Sequence, residues 1–155
     1  MEPNVGLVKK TREQESSGLG LLLADTYTLY LKTQFCHWNV RGAEWYPLHL
    51  LFESHYKEMA EAVDVIAERI GALGFFVDAS LASFKAKTKI KEDAHSGSSK
   101  DFIVSLLDGH ETIIRQVREL IDGADRDRDA LTVDLLVHRL GAHEKMAWFL
   151  RNYLG

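Results

Sequence analysis

The sequence predicts an all-α fold, a bundle of long helices. Only two prolines occur in 155 residues. Apolar residues return every three or four positions through long stretches, while the two-residue alternation of half-buried strands is scarce. Four such stretches can be traced. The break between the second and third is the longest, as a bundle needs when a crossover joins its two hairpins.

Taken in order, residues 1–17 read as a flexible N-terminal tail, with 18–155 as the folded domain. In the tail Lys9, Lys10 and Arg12 are offset by Glu2, Glu13 and Glu15. The first long helix is expected from about residue 18 to 40, on Leu19, Leu22, Leu23, Thr26, Leu29, Tyr30 and Thr33, with Gly42 as its stop. Cys36 is expected as a small core residue. A short turn at 44–46 permits an antiparallel helix pair. Pro47 suits the first turn of the second helix, where its missing N–H is not needed. Leu48, Phe52, Met59, Val63, Ile66, Ile70 and Leu73 form its core stripe, and Gly74 ends it.

Residues 75–97 form the crossover, with a brief helix expected at 81–84. Lys85, Lys87, Lys89 and Lys91 follow at a spacing that scatters them around a helix, so they read as solvated charges. Ser98 or Ser99 caps the third helix, which ends at Gly123 and carries His110 on its apolar side as a hydrogen-bonded core histidine. Asp129 caps the fourth, about 130–153. There Trp148 and Arg151 are expected at subunit contacts, and His143, Glu144 and Lys145 in a polar interface network rather than a second metal site.

Bulk properties narrow the function. The length suits one domain with a sizeable core. At 46% hydrophobic and 27% charged the composition is globular, and a net charge of −4 does not advertise nucleic acid. The single cysteine excludes an intrachain disulfide and fits a reducing cytoplasm. No signal-peptide core or membrane-length apolar run is expected.

The second helix carries a second stripe. With Leu48 at zero, His49, Glu53, Asp64 and Glu68 fall at roughly 100°, 140°, 160° and 200°, away from the core stripe. His49 and Glu53 are i,i+4 neighbours, as are Asp64 and Glu68. The two pairs stand about 15 residues, or roughly 22 Å, apart along the helix. One ion with bonds of about 2 Å cannot use both pairs of one chain. Two antiparallel copies, related by a twofold near Glu58 and Met59, would set His49 and Glu53 of one beside Asp64 and Glu68 of the other, making two equal sites. Histidine with carboxylates suits iron, zinc or manganese.

The words HWNVRG (37–42), LHLLFE (48–53), AVDVIAERI (62–70) and HEKMAWFLRNYL (143–154) resemble the Dps family, the ferritin-like mini-cages also called DNA-binding proteins from starved cells. The resemblance covers about residues 20–154. It implies a ferritin-like four-helix bundle with a short extra helix in the crossover between helices two and three, assembled as a hollow dodecamer. It implies ferroxidase chemistry: Fe(II) oxidised by hydrogen peroxide, with dioxygen slower, at sites shared across the twofold, and ferric mineral stored inside.

By the same resemblance His37, His49 and Glu53 bind iron from one subunit, and Asp64 and Glu68 complete the site from the other, with zinc as a competing occupant. Many relatives have aspartate where this chain has Glu53, which keeps the charge but alters the reach. Trp38 is implied as a near-site aromatic, and Asp129, Asp134 and His138 as the lining of a threefold iron pore. Many relatives bind DNA through a basic tail. The tail here is short and charge-balanced, so DNA binding is weakly supported. A nucleoid-compacting structural protein with little iron turnover is the alternative. A site of the ferritin or bacterioferritin type inside one bundle is disfavoured, because the chain lacks Glu-x-x-His motifs.

Overall fold

The computed structural model describes residues 2–92 and 97–155. Among these lie five helices and no strand: α1 (Lys9–Asn39), α2 (Trp45–Ala72), α3 (Leu81–Lys87), α4 (Ser99–Arg126) and α5 (Ala130–Leu154). α1 packs along α2, α4 packs along α5, and α1 meets α4 to close the bundle. The short α3 lies on α1, inside the expected crossover. Residues 93–96 of that crossover lie outside the described residues. No described helix is long and apolar enough to cross a membrane.

The core follows the apolar stripes. Leu22, Leu29, Phe52, Met59, Ile66, Leu106, Ile113, Leu136 and Leu150 are fully buried. Each such side chain contributes roughly 1.5–3 kcal/mol on leaving water, so packing between amphipathic faces sustains helices of this length. Cys36 lies in the same core.

The first helix begins at Lys9, nine residues before the expected start near Gly18. Its first turn has no side-chain cap. Arg12 holds it instead. The buried guanidinium donates to the Leu73 carbonyl at 2.8 Å and to Glu2 at 2.9 Å, and it stands 6.0 Å from the centre of the Phe75 ring. Glu2 lies in the segment just before the helix, but Leu73 and Phe75 come from just past the far end of α2, and local sequence gives no sign of them.

The other helix ends follow their local chemistry. Gly74, at φ +91°, takes the left-handed position after α2, with Pro3 close against it. Ser98 and Asp101 form a reciprocal capping box on α4. Asp129 caps α5 by accepting from the Thr132 N–H. Crossover residues Thr88 and Lys89 are tied to α1 by donating to buried Asp25, at 2.8 and 2.6 Å. Among the crossover lysines, Lys87 pairs with Asp78 at 3.3 Å.

One expectation is corrected here. His143 does not belong to an interface network. It is fully buried inside the bundle, where its Nδ1 lies 3.0 Å from Nδ1 of His110. The 100° rotation per residue turns His143 inward, while its neighbour Glu144 faces out and pairs with Arg118 at 2.5 Å.

Candidate metal centre

The α1–α2 hairpin brings His37, in the last turn of α1, against His49, in the first turns of α2. The two imidazoles stack with centroids 3.7 Å apart and planes 21° from parallel. Nδ1–H of His37 donates to the His49 carbonyl at 2.8 Å, and Nδ1–H of His49 donates to the His37 carbonyl at 3.0 Å. A carbonyl oxygen only accepts, so each Nδ1 must carry the proton. In the neutral ring Nε2 then keeps its lone pair. Both histidines are thus held by the backbone in the tautomer a metal requires, the arrangement that orients metal-ligating imidazoles generally. His37 is only 8% exposed, which limits its freedom to turn away.

Glu53 lies one turn beyond His49 on the same face. Its carboxylate is bound by Lys57, its i,i+4 neighbour. The hydrogen bond from Lys57 and the Lys57 charge pull Glu53 below the ordinary carboxylate range, and His37 and His49 act in the same direction. The carboxylate is therefore ionised, and an arriving cation would exchange with the lysine ammonium.

Asp64 and Glu68 are exposed further along α2. Within one chain they do not meet the histidines. Among the described residues, no three ligating side chains close around one point. The α1–α2 hairpin thus presents two separate clusters of potential ligands: His37, His49 and Glu53 toward one end, Asp64 and Glu68 toward the other. Beside the second lies a groove of about 500 Å³ between α2 and α5, lined in part by Glu61, Glu68, Arg69, Asp134 and His138.

The implied pore residues divide. Asp134 and His138 are exposed and line this groove. Asp129 is buried, and both of its oxygens accept from Arg69 at 2.7 Å, one also from the Thr132 hydroxyl at 2.6 Å. Burial would raise its pKa, but the bonds from Thr132 and Arg69 outweigh that and lower it. Asp129 is a structural carboxylate.

Around the histidines, Tyr56 stands edge-on to His37 at 5.2 Å and Trp45 lies 5.5 Å from His49. Sequence reasoning missed both. Their spacing carried the signal: Trp45 precedes His49 by four residues and Tyr56 follows Glu53 by three, so they share one helix face. Trp38, the expected near-site aromatic, is 64% exposed.

Comparison with known proteins agrees with this architecture. Residues 17–155 match the ferritin-like domain family. The chain is 31% identical to the DNA protection during starvation protein 2 of Bacillus anthracis, over 85% of this chain and 90% of that protein. It is 36% identical to an uncharacterised low temperature-induced protein of Nostoc, over 97% of this chain and 86% of that one. Its fold superposes on DpsC of Streptomyces coelicolor with a TM-score of 0.96 at 30% identity, covering 100% and 91% of the two chains. The Vibrio cholerae Dps protein, described as a member of a broad superfamily of ferritin-like diiron-carboxylate proteins, gives 0.94 at 28% identity, covering 100% and 98%. With the bundle, the crossover helix and the split histidine–carboxylate stripe in place, the chain belongs to the ferritin-like domain family and, within it, to the Dps proteins.

Proposed function

We propose that this protein is an iron-detoxifying cage in which Fe(II) is the substrate and hydrogen peroxide the preferred oxidant, with dioxygen slower. Two α2 helices would pair antiparallel. His37, His49 and Glu53 of one chain and Asp64 and Glu68 of the other would then hold iron between them. The observation that carries this reading is the reciprocal Nδ1–H···O=C lock, which leaves two Nε2 lone pairs beside an ionised carboxylate. Outward carboxylates on the same helix supply the anionic remainder by symmetry. The starvation-protection names of the relatives and the diiron-carboxylate description of the Vibrio structure support it.

The chemistry asked of the residues is modest. Imidazole and carboxylate donors suit iron, and zinc competes for the same set. Two Fe(II) each lose one electron, and one hydrogen peroxide takes both together with two protons, leaving as two waters. Removing both reactants at once suppresses hydroxyl-radical formation near DNA. Asp134 and His138 would guide cations toward Glu68 along the acidic groove. A closed homo-oligomer, a dodecamer in this reading, would hold the ferric product inside a cytoplasmic cage.

The test mixes metal-free protein with Fe(II) without oxygen and then adds hydrogen peroxide, following ferric absorbance and iron retained on gel filtration. Wild type is expected to oxidise iron quickly and keep it with a large assembly, and a His37→Ala/Asp64→Ala variant to do neither. Equal behaviour of the two would reject the intersubunit site and favour a structural, DNA-compacting cage.

A further inference from the structure

Of the implied iron ligands, Glu53 already holds a cation. Its carboxylate accepts a hydrogen bond from the Lys57 ammonium, one turn further along α2. Glutamate placed four residues before lysine is the favoured order of such a pair. The bond and the glutamate charge raise the lysine pKa, so the ammonium stays charged.

Lys57 stands where iron ligands are expected. It is the only lysine or arginine from His49 to Glu68. With Leu48 at zero it falls at roughly 180°, inside the stripe of His49, Glu53, Asp64 and Glu68. A solvated cation would serve equally well anywhere on the outer surface of α2. Here it stands among the carboxylates that would collect iron. His37 and His49 act on the same carboxylate electrostatically. Glu53 thus lies between two claimants: the ammonium, and a cation seated at the imidazole Nε2 atoms.

The strength of the pair decides how it behaves. The Lys57 side chain is 63% exposed and that of Glu53 31%. An ion pair this open to water is weak. A divalent cation can displace the lysine, whereas a buried pair would block the site. In the proposed dimer, the twofold near Glu58 and Met59 would set Lys57 opposite Ala60, a small side chain that leaves it room to swing.

We propose that Lys57 is a displaceable internal counter-ion for Glu53. It holds the carboxylate of the empty site, yields it to an arriving divalent cation and takes it back as the cation leaves. Lys57 is therefore a positioning residue. It touches no iron, and acts through Glu53 to lower the affinity of the site and speed release. Such a device suits iron that passes on to storage, not a resident metal. The inference rests on the intersubunit iron site proposed above.

The probe is Co(II) alone, with no oxidant. Metal-free, full-length protein is titrated while visible absorption is followed, and release is timed after adding excess chelator. Wild type is compared with Lys57→Met, which keeps the stem and removes the charge, and with Lys57→Arg, which keeps the charge. Lys57→Met should bind Co(II) about 2–10-fold more tightly and release it more slowly by a similar factor. Lys57→Arg should behave as wild type does. The gap between wild type and Lys57→Met should narrow in high salt, because ions screen an exposed charge. A lysine that merely supports its helix would move none of these readouts.

The His37→Ala/Asp64→Ala variant is run alongside and should bind no cobalt. If it binds none, while Lys57→Met binds cobalt no more tightly than wild type, the role of Lys57 is overturned and the iron site stands. Cobalt binding undiminished in the double variant would overturn the iron site and this inference together.

Discussion

Glu15 is buried where α1 meets the α4–α5 turn. Burial, then the charges of Asp129 and Asp127, push its carboxyl from 4.5 up to about 7, against the opposing pull of Arg69. A raised folded pKa means that its contribution to stability is complete below the unfolded value of 4.5 and is lost as pH rises through about 7. Glu15→Gln should therefore melt with wild type near pH 5 and above it at pH 8. A variant whose melting temperature tracks wild type at both pH values would show that Glu15 ionises freely. His37 and His49 illustrate the same scale. Two carbonyl acceptors, not the rings' own chemistry, determine which nitrogen faces outward.

At the scale of the element, α5 is anchored at its start by one buried ion pair. Side chains of Arg69 and Asp129 are 11% and 4% exposed. Replacing Arg69 by Met leaves Asp129 buried without its cation, and the loss should be about 3–5 kcal/mol in chemical denaturation. Arg69→Met/Asp129→Asn should recover much of it, since breaking such a pair is worse than removing it. Additive losses in the double variant would mean the two side chains are not coupled.

The α1–α4 crossing depends on Gly109. A Cβ there would stand 2.6 Å from Cδ1 of fully buried Leu29. Gly109→Ala should lower stability by about 1–3 kcal/mol through overpacking, and this loss should shrink when Gly109→Ala is made in a Leu29→Ala background, which lacks the clashing atom. A neutral Gly109→Ala, measured by the same unfolding curve, would show that the helices can move apart freely.

At the scale of the whole molecule, symmetry is what matters. If iron is held across a twofold, a His37→Ala/His49→Ala chain and an Asp64→Ala/Glu68→Ala chain are each inactive alone but complement each other. Random pairing makes half the dimers mixed, and each mixed dimer restores one of its two sites. Co-assembled protein should then oxidise iron at about a quarter of the wild-type rate. Activity no greater than that of either variant alone would place the site within one chain or nowhere.

The bundle, its helix order, the crossover helix and the caps at Ser98 and Asp129 were legible in the sequence. Local propensity, helical period and turn chemistry act over a few residues and agree with one another here. The stripe of His49, Glu53, Asp64 and Glu68 was legible for the same reason, since one helix fixes their angles. Contacts between distant segments were not. The early start of α1 depends on a carbonyl 61 residues from Arg12. The burial of Asp129 in an ion pair depends on Arg69, 60 residues away. Whether His143 faces a neighbour or the interior is a question of helix rotation against α2 and α4. Sequence determined which faces each helix has, because that is local geometry. Only the tertiary structure decided which polar groups those faces bury together, because their partners are chosen by packing across the bundle.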